Sequence, residues 1–164
     1  MGVKASTRKT WREKFENVPE GLPKVVEGNS AKWEKRFGGQ RVLIATPKLV
    51  DEVIRRVKKG KLITINQIRE RLARDFQADA TCPLTTGIFV HIVSEVAEED
   101  RKAGKKDVTP YWRVLKSGGR FNEKYPGGAA RQARLLRSEG HRIEVRNGRR
   151  PLKVKDYERR LQVV

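Results

Sequence analysis

The chain has 164 residues, with 38 Lys and Arg against 20 Asp and Glu, giving a net charge of +18. One cysteine and two histidines exclude an internal disulfide and a typical zinc cluster, and no apolar run approaches the ~20 residues of a membrane span. Charge of this size makes nucleic acid the first partner to consider, because each neutralised phosphate releases condensed counterions.

Residues 1–46 carry ten basic against five acidic side chains and read as a basic N-terminal extension, broken by Pro19, Pro23 and several glycines. Two short helical turns are expected there, one around Lys9–Phe15 and one over 31–37 with Ser30 as N-cap. Trp11, Phe15, Trp33 and Phe37 lie amid positive charge; they either stack on bases or, as the favoured reading, pin the arm to the domain. The run 41–45 fits a short strand. Pro47 then opens a helix with apolar residues at helical spacing through Val57, and Gly60 ends it.

Leu62–Thr64 is a brief extended stretch, and Thr64 or Asn66 caps a helix whose Ile68, Leu72 and Phe76 share one face. A loop ends at Cys82-Pro83, and a helix over about 84–100 follows, with Ile88, Phe89, Ile92, Val93 and Val96 as its core face. This order is that of a helix-turn-helix. Val114-Leu115 and Arg120-Phe121, around Ser117-Gly118-Gly119, predict a small wing. Residues 129–138 predict a basic helix stopped at Gly140, and Asn147-Gly148 predicts a hairpin between 143–145 and 152–154. Asp156 is expected to cap a last turn through Arg160. Residues 101–164 hold nineteen basic against six acidic side chains, so most of the excess charge sits in this last third.

Three ordered anchors stand out: Pro110-x-x-Arg113-Val114, Tyr125-Pro126-Gly127-Gly128, and Leu135-Leu136-x-x-Glu139-Gly140-His141-Arg142. Together, over about residues 47–143, they resemble the C-terminal DNA-binding domain of the O6-alkylguanine-DNA alkyltransferases. That family reads Pro-Cys-His-Arg-Val where this chain has Pro110-Tyr111-Trp112-Arg113-Val114. The resemblance implies an α+β, mostly helical, winged helix-turn-helix domain over 47–143, followed by a small C-terminal β-hairpin and short helix over 144–164.

It also implies a catalytically inert, alkyltransferase-like protein. The family's acceptor cysteine is replaced by Tyr111 and its activating histidine by Trp112, whose indole nitrogen only donates. A phenol with a pKa near 10 and no adjacent base is a poor nucleophile. Glu139 matches the family's glutamate. Gly87 stands where the family inserts an arginine into the base stack, and Thr64-Ile65-Asn66 where it has Thr-Tyr-Gly. Cys82 is read as structural; as an unorthodox alkyl acceptor it would make the chain an enzyme.

The expected partner is duplex DNA, alkylated or distorted sites included, with no cofactor and no metal. DNA-binding residues are expected at Thr64, Asn66, Thr85, Thr86, Gly87, Arg113, Lys116, Arg120, Arg131 and Arg134. Lys124 and Arg137 add to this footprint, as do the hairpin residues Arg146, Arg149, Arg150, Lys153 and Lys155. Tyr111, Trp112, Tyr125 and Gly127 surround the position of the family's base pocket. They form either an aromatic cage for an extruded base or a plug that fills it. Repair would then need a protein partner. A monomeric, cytoplasmic, nucleoid-associated protein is implied, with no membrane contact. The rival readings are an RNA- or ribosome-binding basic module and a scaffold for an acidic protein.

Overall fold

The computed structural model describes residues 8–148 and 150–164. Its elements alternate short strands with helices: α1 (Trp11–Glu16), β1 (Lys24–Glu27), α2 (Ala31–Phe37), β2 (Arg41–Ile44), α3 (Pro47–Arg55), β3 (Ile63–Thr64), α4 (Ile65–Asp75), β4 (Ala80–Thr81), α5 (Pro83–Lys102), β5 (Val114–Leu115), α6 (Gly128–Ser138), β6 (Ile143–Arg146) and β7 (Arg150–Val154). Three-residue and four-residue 3-10 turns cover Tyr111–Arg113, Ser117–Gly119 and Tyr157–Arg160. The class is mixed α+β. No helix among the described residues is long and apolar enough to cross a membrane.

Local chemistry fixes the helix starts. Thr46 accepts from the Leu49 amide ahead of Pro47 at the first turn of α3, and Thr64 forms a reciprocal capping box with Gln67 on α4. Each satisfies amides that the helix cannot. Ser30 caps α2 as its sequence predicts. The last turn departs from expectation: Asp156 precedes it in the left-handed region (φ 52°), but its side chain makes no cap.

Of the residues expected to form an extension, those from Trp11 to Ile44 are built into the body; residues 1–7 lie outside the described residues. β1 pairs antiparallel with β2, which pairs in parallel with β4, so β2 is the middle strand of a three-stranded sheet. Trp11 and Phe15 pack on the main core, where Leu43, Ile54, Ile63, Ile68 and Val90 are fully buried. The apolar run 41–45 has β1 and β4 on its two edges, and its Val42, Leu43 and Ala45 are buried. Residues 144–164 are equally integral. Val154 joins α6 in a second core with Leu62, Leu115, Phe121 and Leu136. The Leu62 amide donates to the Arg160 carbonyl (2.9 Å), and the Gln162 amide to the Leu62 carbonyl (2.8 Å).

The predicted hairpin forms, with a bulge between Glu144 and Val145; its Arg149 lies outside the described residues. The predicted wing does not form as two paired strands. Buried Val114 and Leu115 pair in parallel with β3 instead, and the chain turns back through a 3-10 turn with a lone bridge between Lys116 and Arg120. Gly119 sits at φ +78°, and a Cβ there would lie 2.5 Å from the Tyr157 ring. The turn is thus packed against the C-terminal segment and cannot project as a free wing.

Candidate nucleic-acid interface

Two environments meet beside α5, a largely buried ionic interior and a cationic exterior. Inside, the Tyr111 and Tyr125 side chains are buried, and the Tyr111 ring packs edge-on against both Trp112 and Tyr125, with centroids 5.4 and 5.3 Å away. Trp112, beside them, is half-buried. The three aromatics thus pack against one another at the position where the sequence resemblance places a base pocket. The Tyr111 hydroxyl donates to Glu98 (3.3 Å) and that of Tyr125 to the Val114 carbonyl (3.2 Å). Burial, reinforced by the Glu98 charge, pushes the Tyr111 phenol up to about 12. Gly127 belongs to this packing as well. It stands at φ +78°, and a Cβ there would collide with the Arg131 side chain.

Two carboxylates anchor the interior. Glu98 receives Arg101 and Arg131, the latter at 2.9 Å. Burial would raise its carboxyl, but the Arg101 hydrogen bond, the Arg131 and Arg101 charges and the Tyr111 hydroxyl outweigh that and hold it below the ordinary carboxylate range. Glu139 accepts from the Trp112 indole (3.0 Å) and pairs with Arg113 at 2.7 Å. Its carboxyl too is held down, with burial overcome by Arg113 and Trp112. The remaining Arg113 nitrogen donates to the Val57 carbonyl (2.6 Å). Arg113 and Arg131, expected on DNA, are thus consumed by buried ion pairs. A guanidinium so engaged cannot turn to a phosphate without exposing its carboxylate partner.

Other residues expected at the interface have roles within the fold or face elsewhere. The Thr86 side chain is fully buried, and its hydroxyl donates to the Cys82 carbonyl (2.7 Å). Thr64 is committed to capping α4, and Asn66 faces a separate groove with Phe37 and Arg69. Cys82 is buried at the start of α5, its amide tied to the Leu43 carbonyl. Among the described residues no cluster of His, Cys, Asp and Glu is built to hold a metal.

What remains outside is coherent. A recess of about 520 Å³ opens over the first turns of α5, where Leu84, Gly87 and Ile88 line it together with Trp11. Lys14, Lys116 and Lys124 reach the same recess, and no carboxylate lines it. None of these lysines pairs with an acidic group within 4.0 Å among the described residues. Leu84 is 66% exposed and Ile88 50%, so Ile88, expected in the core, faces solvent. Nothing lies within 4 Å of a Cβ built on Gly87, so the helix backbone there is bare. Trp11 bears out its role as a pin: its ring lies 4.9 Å from His91, and Lys14 sits over it at 4.4 Å.

From Lys116 the backbone links further basic residues. Lys116 bridges to Arg120, and Arg120 bridges to Lys153 on β7. Another cleft is lined by Ala130 of α6 with Arg146 and Arg150 of the hairpin, and Glu123 lines it too. Arg134, one turn beyond Ala130, is exposed. Asn66, Lys116, Arg120 and Arg134 are exposed, and Thr85 and Gly87 half-buried, so these are the expected residues with surface to offer. Sequence reasoning missed Leu84, Ile88 and Lys14, whose exposure depends on how α1 docks on α5.

No family model matches the sequence, and no match is found among curated proteins. Among solved structures, the chain is similar to Atl1 of S. pombe in complex with damaged DNA containing O6-carboxymethylguanine. The two share 18% identity with a TM-score of 0.47, over 71% of this chain and 93% of that one.

Proposed function

We propose that this chain is a non-catalytic, DNA-binding protein of the alkyltransferase-like kind, holding duplex DNA against the first turns of α5. The observation that carries the reading is the recess where three lysines without acidic partners surround exposed Leu84, bare Gly87 and exposed Ile88. Lysines with no carboxylate to satisfy them are ready for phosphates, which position a duplex without reading its sequence. Apolar side chains flanking a bare backbone suit a minor groove, where such residues wedge between base steps. Arg120, Arg134, Arg146 and Arg150 extend the phosphate track.

The interior supports the absence of alkyl transfer. At the position of the family's thiol stands a phenol pushed up to about 12 and already donating to Glu98. At the position of its histidine stands an indole donating to Glu139. A preference for distorted or alkylated sites would arise at the Leu84–Ile88 wedge, where an already weakened stack costs less to open, and not in an aromatic cage. Repair would follow from a partner protein that reads the complex.

Competition in one gel among plain duplex, single-stranded DNA and structured RNA tests the proposal. Duplex DNA is expected to compete best, with affinity falling steeply as salt rises. Preferential competition by structured RNA would replace it with the RNA-binding reading.

A further inference from the structure

On a different part of the surface, a polar recess of about 210 Å³ lies between the turn that leaves α6 and the turn that follows β7. Its walls carry Arg142, Lys155, Arg159 and Arg160, with His141 and Asp156. None of the four cations has a carboxylate within 4.0 Å among the described residues, although Asp156 lines the same recess. The His141 side chain is buried, at 6% exposure, and its Nε2 has no hydrogen-bond partner.

Backbone bonds hold these walls in place. The Lys155 amide donates to the Arg142 carbonyl (2.9 Å), the His141 amide to the Leu136 carbonyl (3.1 Å), and the Leu62 amide to the Arg160 carbonyl. The recess shares no lining residue with the one over α5. Its volume is several times the ~30 Å³ share of a water molecule, enough for a hydrated oxyanion.

We propose that this recess is a phosphate-binding site, seating a phosphate group, free or carried on a nucleic-acid strand, through Arg142, Lys155, Arg159 and Arg160 beside His141. Converging cations repel one another until an anion of matching charge arrives. Guanidinium forks fit phosphate oxygens in pairs, which an isolated carboxylate such as Asp156 cannot supply for four cations. The buried imidazole would respond to the same anion. Burial holds its pKa below the ordinary value; the Glu139 charge opposes this, and Arg160 and Arg113 add repulsion. Arg142, Lys155, Arg159 and Asp156 are the other charges around it. A bound phosphate would favour the protonated ring and move its titration upward.

The test uses the full chain and inorganic phosphate, with the ring nitrogens of its two histidines followed by NMR at fixed ionic strength. A saturable shift at His141 is expected, with none at His91, whose Nε2 faces Glu95. Arg159→Gln with Arg160→Gln should weaken the response on the order of tenfold or more, with an unchanged thermal midpoint. Asp156→Asn should tighten it, a gain that loss of folding cannot mimic, since asparagine tolerates the left-handed backbone there. Equal shifts with chloride, parallel shifts at both histidines, or an unaltered response in the double variant would overturn the site. Adding a short duplex assigns the source: a strand phosphate suppresses the free-phosphate response, whereas a free-phosphate site keeps it. Because the first arm contains no nucleic acid, its failure is separate from any failure of DNA binding over α5.

Discussion

Arg131 and Lys116 lie in the same basic last third of the sequence, yet they belong to opposite kinds of environment. Around Arg131 and Arg113, every cation is matched to a buried carboxylate and every aromatic ring is packed. The recess that Lys116 and Lys124 line has no carboxylate in its walls, and apolar side chains there are left in water. Net charge therefore overstates the binding surface. A cation is available to a phosphate only where the fold has not already paired it.

Breaking the interior should give the largest effect, and it should be an effect on stability. Glu139→Ala leaves Arg113 buried without its partner, which is expected to cost about 3–5 kcal/mol in urea unfolding. If the fold loses less than about 1 kcal/mol, the pair is not the buried anchor described. Acid should attack the same groups. Glu98 and Glu139 both titrate below the ordinary 4.5 in the fold. Their contribution is therefore complete above 4.5 and is lost as pH falls through their lowered values. Unfolding measured across this range should show stability declining with acidification; a flat profile would mean that the carboxylates are not held down.

The exterior should answer with binding and not with stability. Leu84→Ser with Ile88→Ser removes the apolar wedge, and duplex affinity should fall by about 1–2 kcal/mol while the thermal midpoint holds. Loss of stability with affinity intact would make these residues part of the core. The smallest effect is expected from Tyr111→Phe, which deletes one hydroxyl bonded to Glu98 and should cost about 1 kcal/mol without altering DNA affinity. A marked drop in duplex binding by that variant would restore the aromatic cage.

The sequence was most legible where chemistry is local. Ser30, Thr64 and Pro47 mark helix starts, and Asn147-Gly148 marks a hairpin, because each depends on a few neighbouring residues. It was least legible where distant segments meet. The partner of Val114-Leu115 is β3, some fifty residues earlier, and not the stretch across the glycine turn. Ile88 follows the helical period of a core residue, yet the period leaves the rim of a buried face undetermined. Arg113 and Arg131 look like phosphate contacts until Glu139 and Glu98 are brought to them by the fold. The aromatic residues at 111, 112 and 125 were readable from the sequence; that Tyr111 and Tyr125 are buried edge-on against each other required the fold.

The salt dependence of duplex affinity tests the division most directly. Wild type, Lys116→Ala with Lys124→Ala, and Arg131→Gln should be compared as log affinity against log salt. The lysine variant should lose about 0.9 of slope for each phosphate contact removed, and Arg131→Gln should keep the wild-type slope despite lower stability. The reverse pattern, with the slope falling in Arg131→Gln and unchanged in the lysine variant, would place DNA on the wrong side of the molecule for this account.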